Sequence, residues 1–233
     1  MIGPLRISVV IPVLNEAGRI STGLHELESH DFHEIIVVDG GSRDATCSIV
    51  AEFPQVRLVN ASRGRAAQMN AGANRATGDV LLFLHADVVL PQDAIMHIHA
   101  TLAEPETVAG AFRTWTVPDR PGCAPWWSPL LHLADLRSRY SRLPYGDQAI
   151  FLRRDLFHEV GGFPEIPIME DLELSRRLNR CGRIRIARSS VRVSGRRFLA
   201  RPFFYATLVN LFPLLYRCGV PLRWLGRLYG AVR

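Results

Sequence analysis

Gly78-Asp79-Val80-Leu81-Leu82-Phe83-Leu84-His85-Ala86-Asp87 is the stretch from which the rest of the chain is read. Val80 to Leu84 is an unbroken apolar run of strand length. A strand buried on one face alternates in polarity, whereas one buried on both faces, as in a parallel sheet, does not. Such a run ends in His-Ala-Asp only where the chain emerges at a polar place. In open α/β sheets the carboxyl ends of the strands line the ligand crevice. Asp87 therefore stands either where a hard cation meets phosphate oxygens or as a cap on the turn before Val88-Val89-Leu90-Pro91.

Working outward, the same pattern repeats upstream. Arg6 to Ile11 and Glu34 to Val38 are buried strands, and Val56 to Val59 is a third, shorter one. Helices are expected from about Ala17 to Ser29, from Asp44 to Phe53 and from about Ala66 to Ala76, the last stopped by Gly78. Strands alternating with helices imply βαβ units and a mostly parallel sheet. Three strand ends carry polar or glycine-rich groups: Pro12, Asn15 and Glu16; Asp39, Gly40, Gly41 and Ser42; His85 and Asp87. Three such ends in one sheet favour a nucleotide site over three separate caps. Neither a Gly-x-Gly-x-x-Gly fingerprint nor a Walker loop follows the first strand, which disfavours the dinucleotide and P-loop classes.

The chain has 233 residues and a net charge of +6, enough for one large domain with a substantial core. Every formally basic residue other than histidine is arginine, and no Asp or Glu follows Glu173. A basic, acid-free terminal stretch implies an anionic partner. Cys47, Cys123, Cys181 and Cys218 are scattered without a zinc or disulfide pattern, which points to reduced thiols and a cytoplasmic location. The apolar stretch from Pro202 to Tyr216 is shorter than the ~18–20 residues of a membrane span. With no RRM, zinc or helix-turn-helix signature, nucleic acid is not expected as a partner.

The motifs IPVLNE, VVDGGSRDAT, RGRAAQMNAG, GDVLLFLHAD, GDQAIFLRR, GGFP and MEDLELSRRL occur in that order. In these the chain resembles the family 2 glycosyltransferases, inverting enzymes of GT-A fold, over residues 6 to about 180. RGRAAQMN and HAD look most like a short bacterial subgroup tied to arsenosugar biosynthesis. The resemblance implies an α/β fold with a Rossmann-like, mostly parallel central sheet flanked by helices. It implies a GT-A domain over 1–195, with a nucleotide-binding half to about 115 and an acceptor half to 195. A helical, basic, amphipathic extension would fill 196–233.

By the same resemblance, Pro12, Asn15 and Glu16 would cradle the uridine or ribose, although acid also suits a helix start. Asp39, with Gly41, would bind the base, the rival reading being a tight turn. Arg65 and Asn70 would face the nucleotide, with Arg63 either beside them or in solvent. Gly72 is read as packing, letting a helix approach the sheet. His85-Ala86-Asp87 occupies the place of the family's Asp-x-Asp. Asp87 would hold Mg²⁺ or Mn²⁺, His85 serving Mn²⁺ or, preferentially, the sugar or a neighbouring group, and Ala86 would lie against the nucleotide.

In the second half, Val108 to Trp115 is a returning strand and Pro129 to Tyr140 a short helix. Trp126 and Trp127 either stack on a sugar, dip into lipid headgroups or plug a loop. Asp147 and Gln148 match a motif near the donor sugar. Asp171 looks like the general base that takes the acceptor hydroxyl proton, with Glu170 beside it; a helix cap is the rival. Arg196 and Arg197 would neutralise the leaving diphosphate. The expected partners are a nucleotide-sugar donor, most simply a UDP-sugar, a hydroxyl acceptor, and for the tail an anionic membrane surface or a second copy. Two rivals stand: a sugar nucleotidyltransferase, which would want a Gly-rich first turn, and a non-catalytic binder of nucleotide sugars or anionic surfaces.

Overall fold

A computed structural model describes residues 5–117, 132–140 and 143–195, with scattered positions between 211 and 225. The first half alternates as its sequence pattern requires: β1 (Ile7–Val13), α1 (Ile20–Glu28), β2 (Glu34–Asp39), α2 (Thr46–Val50), β3 (Val56–Asn60), α3 (Arg65–Ala73) and β4 (Val80–Phe83). Then come β5 (Val88–Val89), α4 (Ala94–Ala103), β6 (Thr107–Val117) and α5 (His132–Tyr140). A 3-10 turn at Gly146–Gln148 leads into β7 (Phe151–Arg153), α6 (Arg154–Glu159), α7 (Glu170–Cys181) and β8 (Arg183–Ser194).

The eight strands form one mixed sheet in the order β3-β2-β1-β4-β7-β6-β8-β5. The first four are parallel, and β6 and β8 are parallel too, whereas β7 runs against both β4 and β6 and β5 runs against β8. The unbroken apolar runs follow from burial on both faces. Val9, Ile11, Val37 and Leu82 join Ile20, Leu24 and Ile98 on one side. Val10, Ile36, Val38, Leu81 and Phe83 join Met69, Phe157 and Leu174 on the other. Each fully buried Leu or Phe contributes about 1.5–3 kcal/mol relative to exposure. On the second face Phe83 lies 5.1 Å from Phe157 and 4.8 Å from Phe163, centroid to centroid.

Two local devices hold the crevice end together. A Cβ on Gly72 would stand 2.4 Å from Val10 Cγ1 and 2.9 Å from Val38 Cγ2. Only glycine lets α3 sit this close, in line with the packing role read from sequence. The second device serves an open edge. β7 pairs with β6 at Ala109 and Gly110, and among the described residues β6 has no strand further along on that side. There α5 supplies the acceptors: Ser138 Oγ takes the Thr114 N–H at 3.0 Å and Asp135 Oδ2 the Thr116 N–H at 2.9 Å. Asp135 also accepts from both threonine hydroxyls at 2.8 Å and contacts His132 Nδ1 at 2.8 Å. A covered edge offers no template for foreign strands.

Described parts of the tail are packed on the domain. Leu215, Tyr216, Val220, Leu222 and Leu225 cluster with Ile168, Met169 and Leu172 at the start of α7. The Tyr216 hydroxyl donates to Glu173 Oε2 at 3.3 Å. Among the described residues no helix is long and apolar enough to cross a membrane.

Candidate active site

The candidate site comprises the carboxyl ends of β1, β2 and β4 and the starts of α3 and α7. Its first two walls are tied to each other. Asn15 adopts φ 54°, its N–H donates to Ser42 Oγ at 2.9 Å, and its Oδ1 accepts the Arg43 N–H at 2.8 Å. The Glu16 N–H donates to Thr46 Oγ1 at 2.9 Å, while the Glu16 carbonyl accepts from Arg19 and Ile20 and so starts the helix. Pro12 closes β1 in register with Val38.

Asp39 is buried and holds its own turn. It accepts from the Gly41 N–H at 2.8 Å, from the Ser42 N–H at 3.0 Å and from the Ser42 hydroxyl. Burial pushes its carboxyl up, but the Ser42 hydroxyl and the Ser42 and Gly41 amides outweigh that and leave it below its ordinary value. Gly41 supplies the positive φ, 90°, that the turn needs. The turn chemistry weighed for Asp39 is thus present, and a bound base would share an acceptor already in use.

Gln68 was not singled out from sequence, yet it is buried beneath these walls. Its Nε2 donates to the carbonyls of Val13 at 2.7 Å and Val38 at 2.8 Å, bridging the ends of β1 and β2. The only sequence signal is its place on the apolar face of a helix, where a glutamine must find partners.

Asn70 and Gln148, both expected beside the ligand, also make contacts within the protein. Asn70 grips the Phe163 backbone from both ends of its amide, at 2.8 and 2.9 Å, and so fastens α3 to the Gly161–Pro164 turn. Gln148 is buried; it donates to the Phe112 carbonyl at 3.0 Å and accepts from the Tyr145 N–H at 3.1 Å. In both, the partners include backbone groups far away in sequence. Asp147 is half-buried in the same 3-10 turn. Arg196, Arg197, Trp126 and Trp127 lie outside the described residues.

The opposite wall is built at the start of α7. Asp171 Oδ2 accepts the Gly146 N–H at 2.7 Å and Oδ1 the Leu172 N–H at 2.7 Å. The imidazole of His85, from the end of β4, lies against Gly146: a Cβ there would be 2.6 Å from His85 Nε2 and 3.4 Å from Asp171 Oδ2. Glu170 is 2% exposed and pairs through Oε1 with Arg65 Nε at 2.9 Å, joining α7 to the start of α3. Its Oε2 is buried without a partner. Burial pushes the Glu170 carboxyl up to about 7; Arg65 pulls it down and Asp171 pushes it further up.

Asp87 follows one turn later, half-buried, its carbonyl taking the Ser194 N–H at 3.2 Å. It offers a cation a hard oxygen donor. Among the described residues no group of three or more His, Cys, Asp or Glu is placed to hold a metal. Magnesium or manganese fits such a donor set by sharing its shell among one carboxylate, phosphate oxygens and water.

A family model described as "Glycosyl transferase family 2" matches residues 8–161. The chain is 27% identical over 169 residues to Glycosyltransferase AglE of Haloferax volcanii, covering 68% of this chain and 56% of that protein. It is 32% identical over 120 residues to the undecaprenyl-phosphate 4-deoxy-4-formamido-L-arabinose transferase of Pseudomonas fluorescens, 46% of this chain and 35% of the other. The chain thus spans only about a third to just over half the length of these two relatives. Among solved structures, the mannosyltransferase PcManGT of Pyrobaculum calidifontis, in complex with GDP-Man and Mn²⁺, superposes with a TM-score of 0.70 at 19% identity, over 97% of this chain and 70% of that one. S. aureus TarS 1-349 in complex with UDP-GlcNAc does so at 0.64 and 19%, over 91% and 67%.

Proposed function

Because the chain belongs to glycosyl transferase family 2, we propose that it transfers a sugar from a nucleoside-diphosphate donor to a hydroxyl acceptor with inversion at the anomeric carbon. The observation that supports this is the start of α7, where the Gly146 amide holds Asp171 with the His85 ring beside it and Glu170 pairs with Arg65 of α3. The two superposed relatives are both complexed with nucleotide sugars, GDP-Man and UDP-GlcNAc, which supports a donor of that class.

The division of labour rests on the family resemblance. The residues at and just after the ends of β1 and β2, Pro12, Asn15, Glu16 and Asp39, would form the nucleoside wall. Asp87 would hold Mg²⁺ or Mn²⁺, which when bound neutralises charge on the departing diphosphate. Asp171 takes the acceptor proton. A hydroxyl is a poor nucleophile until that proton has somewhere to go, and inversion requires one carboxylate opposite the leaving group. Gly146 and Leu172 fix the Asp171 oxygens by backbone donors, which is how a rigid base is held. The acid-free, arginine-bearing terminal stretch suits an acceptor carried at an anionic surface.

Calorimetry of UDP binding, with and without Mn²⁺, tests the reading. Mn²⁺ should strengthen binding in the wild type and lose that effect in Asp87→Ala. Enhancement that survives Asp87→Ala would place the cation elsewhere, and absence of binding by UDP, GDP and their sugars alike would overturn the donor class.

A further inference from the structure

We propose that His85 is a positioning residue for Asp171 and not a ligand of the cation, so that His85 and Asp87 serve opposite sides of the transfer. The proposal rests on Asp171 being the base. In a strand, residues two apart face the same way, and that alternation would aim positions 85 and 87 at one ion. Here the strand ends at Phe83, and the chain turns, with the Val88 N–H donating to the His85 carbonyl at 3.0 Å.

What the imidazole meets instead is Gly146. A Cβ built on this glycine would fall 2.6 Å from His85 Nε2 and 3.2 Å from its Cε1. The contact is closer than a real Cβ tolerates, so a side chain at 146 would have to displace the ring. Backbone conformation gives no second reason, since Gly146 is not among the glycines with positive φ. Gly146 is also the residue whose N–H holds Asp171 Oδ2 at 2.7 Å. The ring and the carboxylate therefore share one backbone support. The imidazole forms a wall that fixes where the Gly146 amide stands, and the amide fixes the base.

Proximity of this kind is sensitive to small displacements; a shift of about 1 Å costs about 10²-fold in rate. His85→Ala should lower the release of UDP from a UDP-sugar by about 10²-fold, with the Mn²⁺-dependent UDP affinity held within about twofold. His85→Gln, which returns a polar atom near the Nε2 position, should recover part of the loss. Gly146→Ala must push the ring aside and should resemble His85→Ala. The double variant His85→Ala/Gly146→Ala has room for the new methyl, so its loss should match that of His85→Ala alone and not the product of the two. Thermal melting of each variant separates displacement from unfolding.

Multiplying losses, or a loss of Mn²⁺-dependent affinity in His85→Ala, would overturn the proposal and return His85 to the cation. A readout independent of turnover is the His85 ring proton resonance, assigned by its loss in His85→Ala. It should move in Asp171→Asn; a resonance indifferent to that change also overturns the proposal. If the wild type releases no UDP from any donor, the transferase reading fails by itself, and the resonance still decides the place of His85.

Discussion

Glu170→Gln isolates the energetic consequence of burying an acid beside the base. Glu170 is 2% exposed, has one ion pair to Arg65 and leaves Oε2 without a partner. Its carboxyl is pushed up to about 7 from an ordinary 4.5, first by burial. Between those two values the folded protein holds a proton that the unfolded chain has released. Stability therefore falls as pH rises through this window and levels off above about 7. Tenfold in proton affinity is about 1.4 kcal/mol, so the whole fall is roughly 3 kcal/mol. Glutamine keeps the shape and cannot titrate. Urea unfolding of both proteins from pH 4 to 8 should show the wild type losing roughly 3 kcal/mol relative to Glu170→Gln over the window. Loss of the Glu170 charge beside Arg65 shifts the variant's curve by a constant at these pH values, so the difference in slope is the quantity to read. Parallel curves would refute the reasoning, because they would mean that Glu170 does not change charge there.

Two further outcomes are expected. Asp171→Asn should lower kcat by about 10²–10⁴-fold while leaving donor affinity unchanged; joint collapse of both would make Asp171 a structural cap. Gly72→Ala should cost about 1–3 kcal/mol in urea denaturation, since its methyl would meet Val10 and Val38 at 2.4 and 2.9 Å, and an unaltered midpoint would mean that α3 moves away freely.

Much of the architecture was legible from local pattern. Apolar runs such as Val80 to Leu84 carry their two-sided burial in their composition, and the strand–helix alternation up to β4 followed from periodicity. The second half blurred the expectation of a mostly parallel sheet. β7 inserts antiparallel between β4 and β6, and β5 is only two residues long. A three-residue strand carries no periodicity of its own; it is defined by the strands that receive it.

The site divides in the same way. The sequence by itself determined which residue types stand at the strand ends and at the start of α7, because strand ends and helix starts are marked by their immediate neighbours. Tertiary structure alone decided what those side chains touch. Folding brought Phe163, 93 residues from Asn70, and Phe112, 36 residues from Gln148, within reach of their amides. The partners of Gln68 and Asp135, and the pairing of Arg65 with Glu170, were not legible in the sequence, since the groups that satisfy them come from other elements. The place of His85 against Gly146 belongs to this second class. A buried polar group takes the partner that the packed chain offers, and that partner exists only once β4, the 146–148 turn and α7 have met.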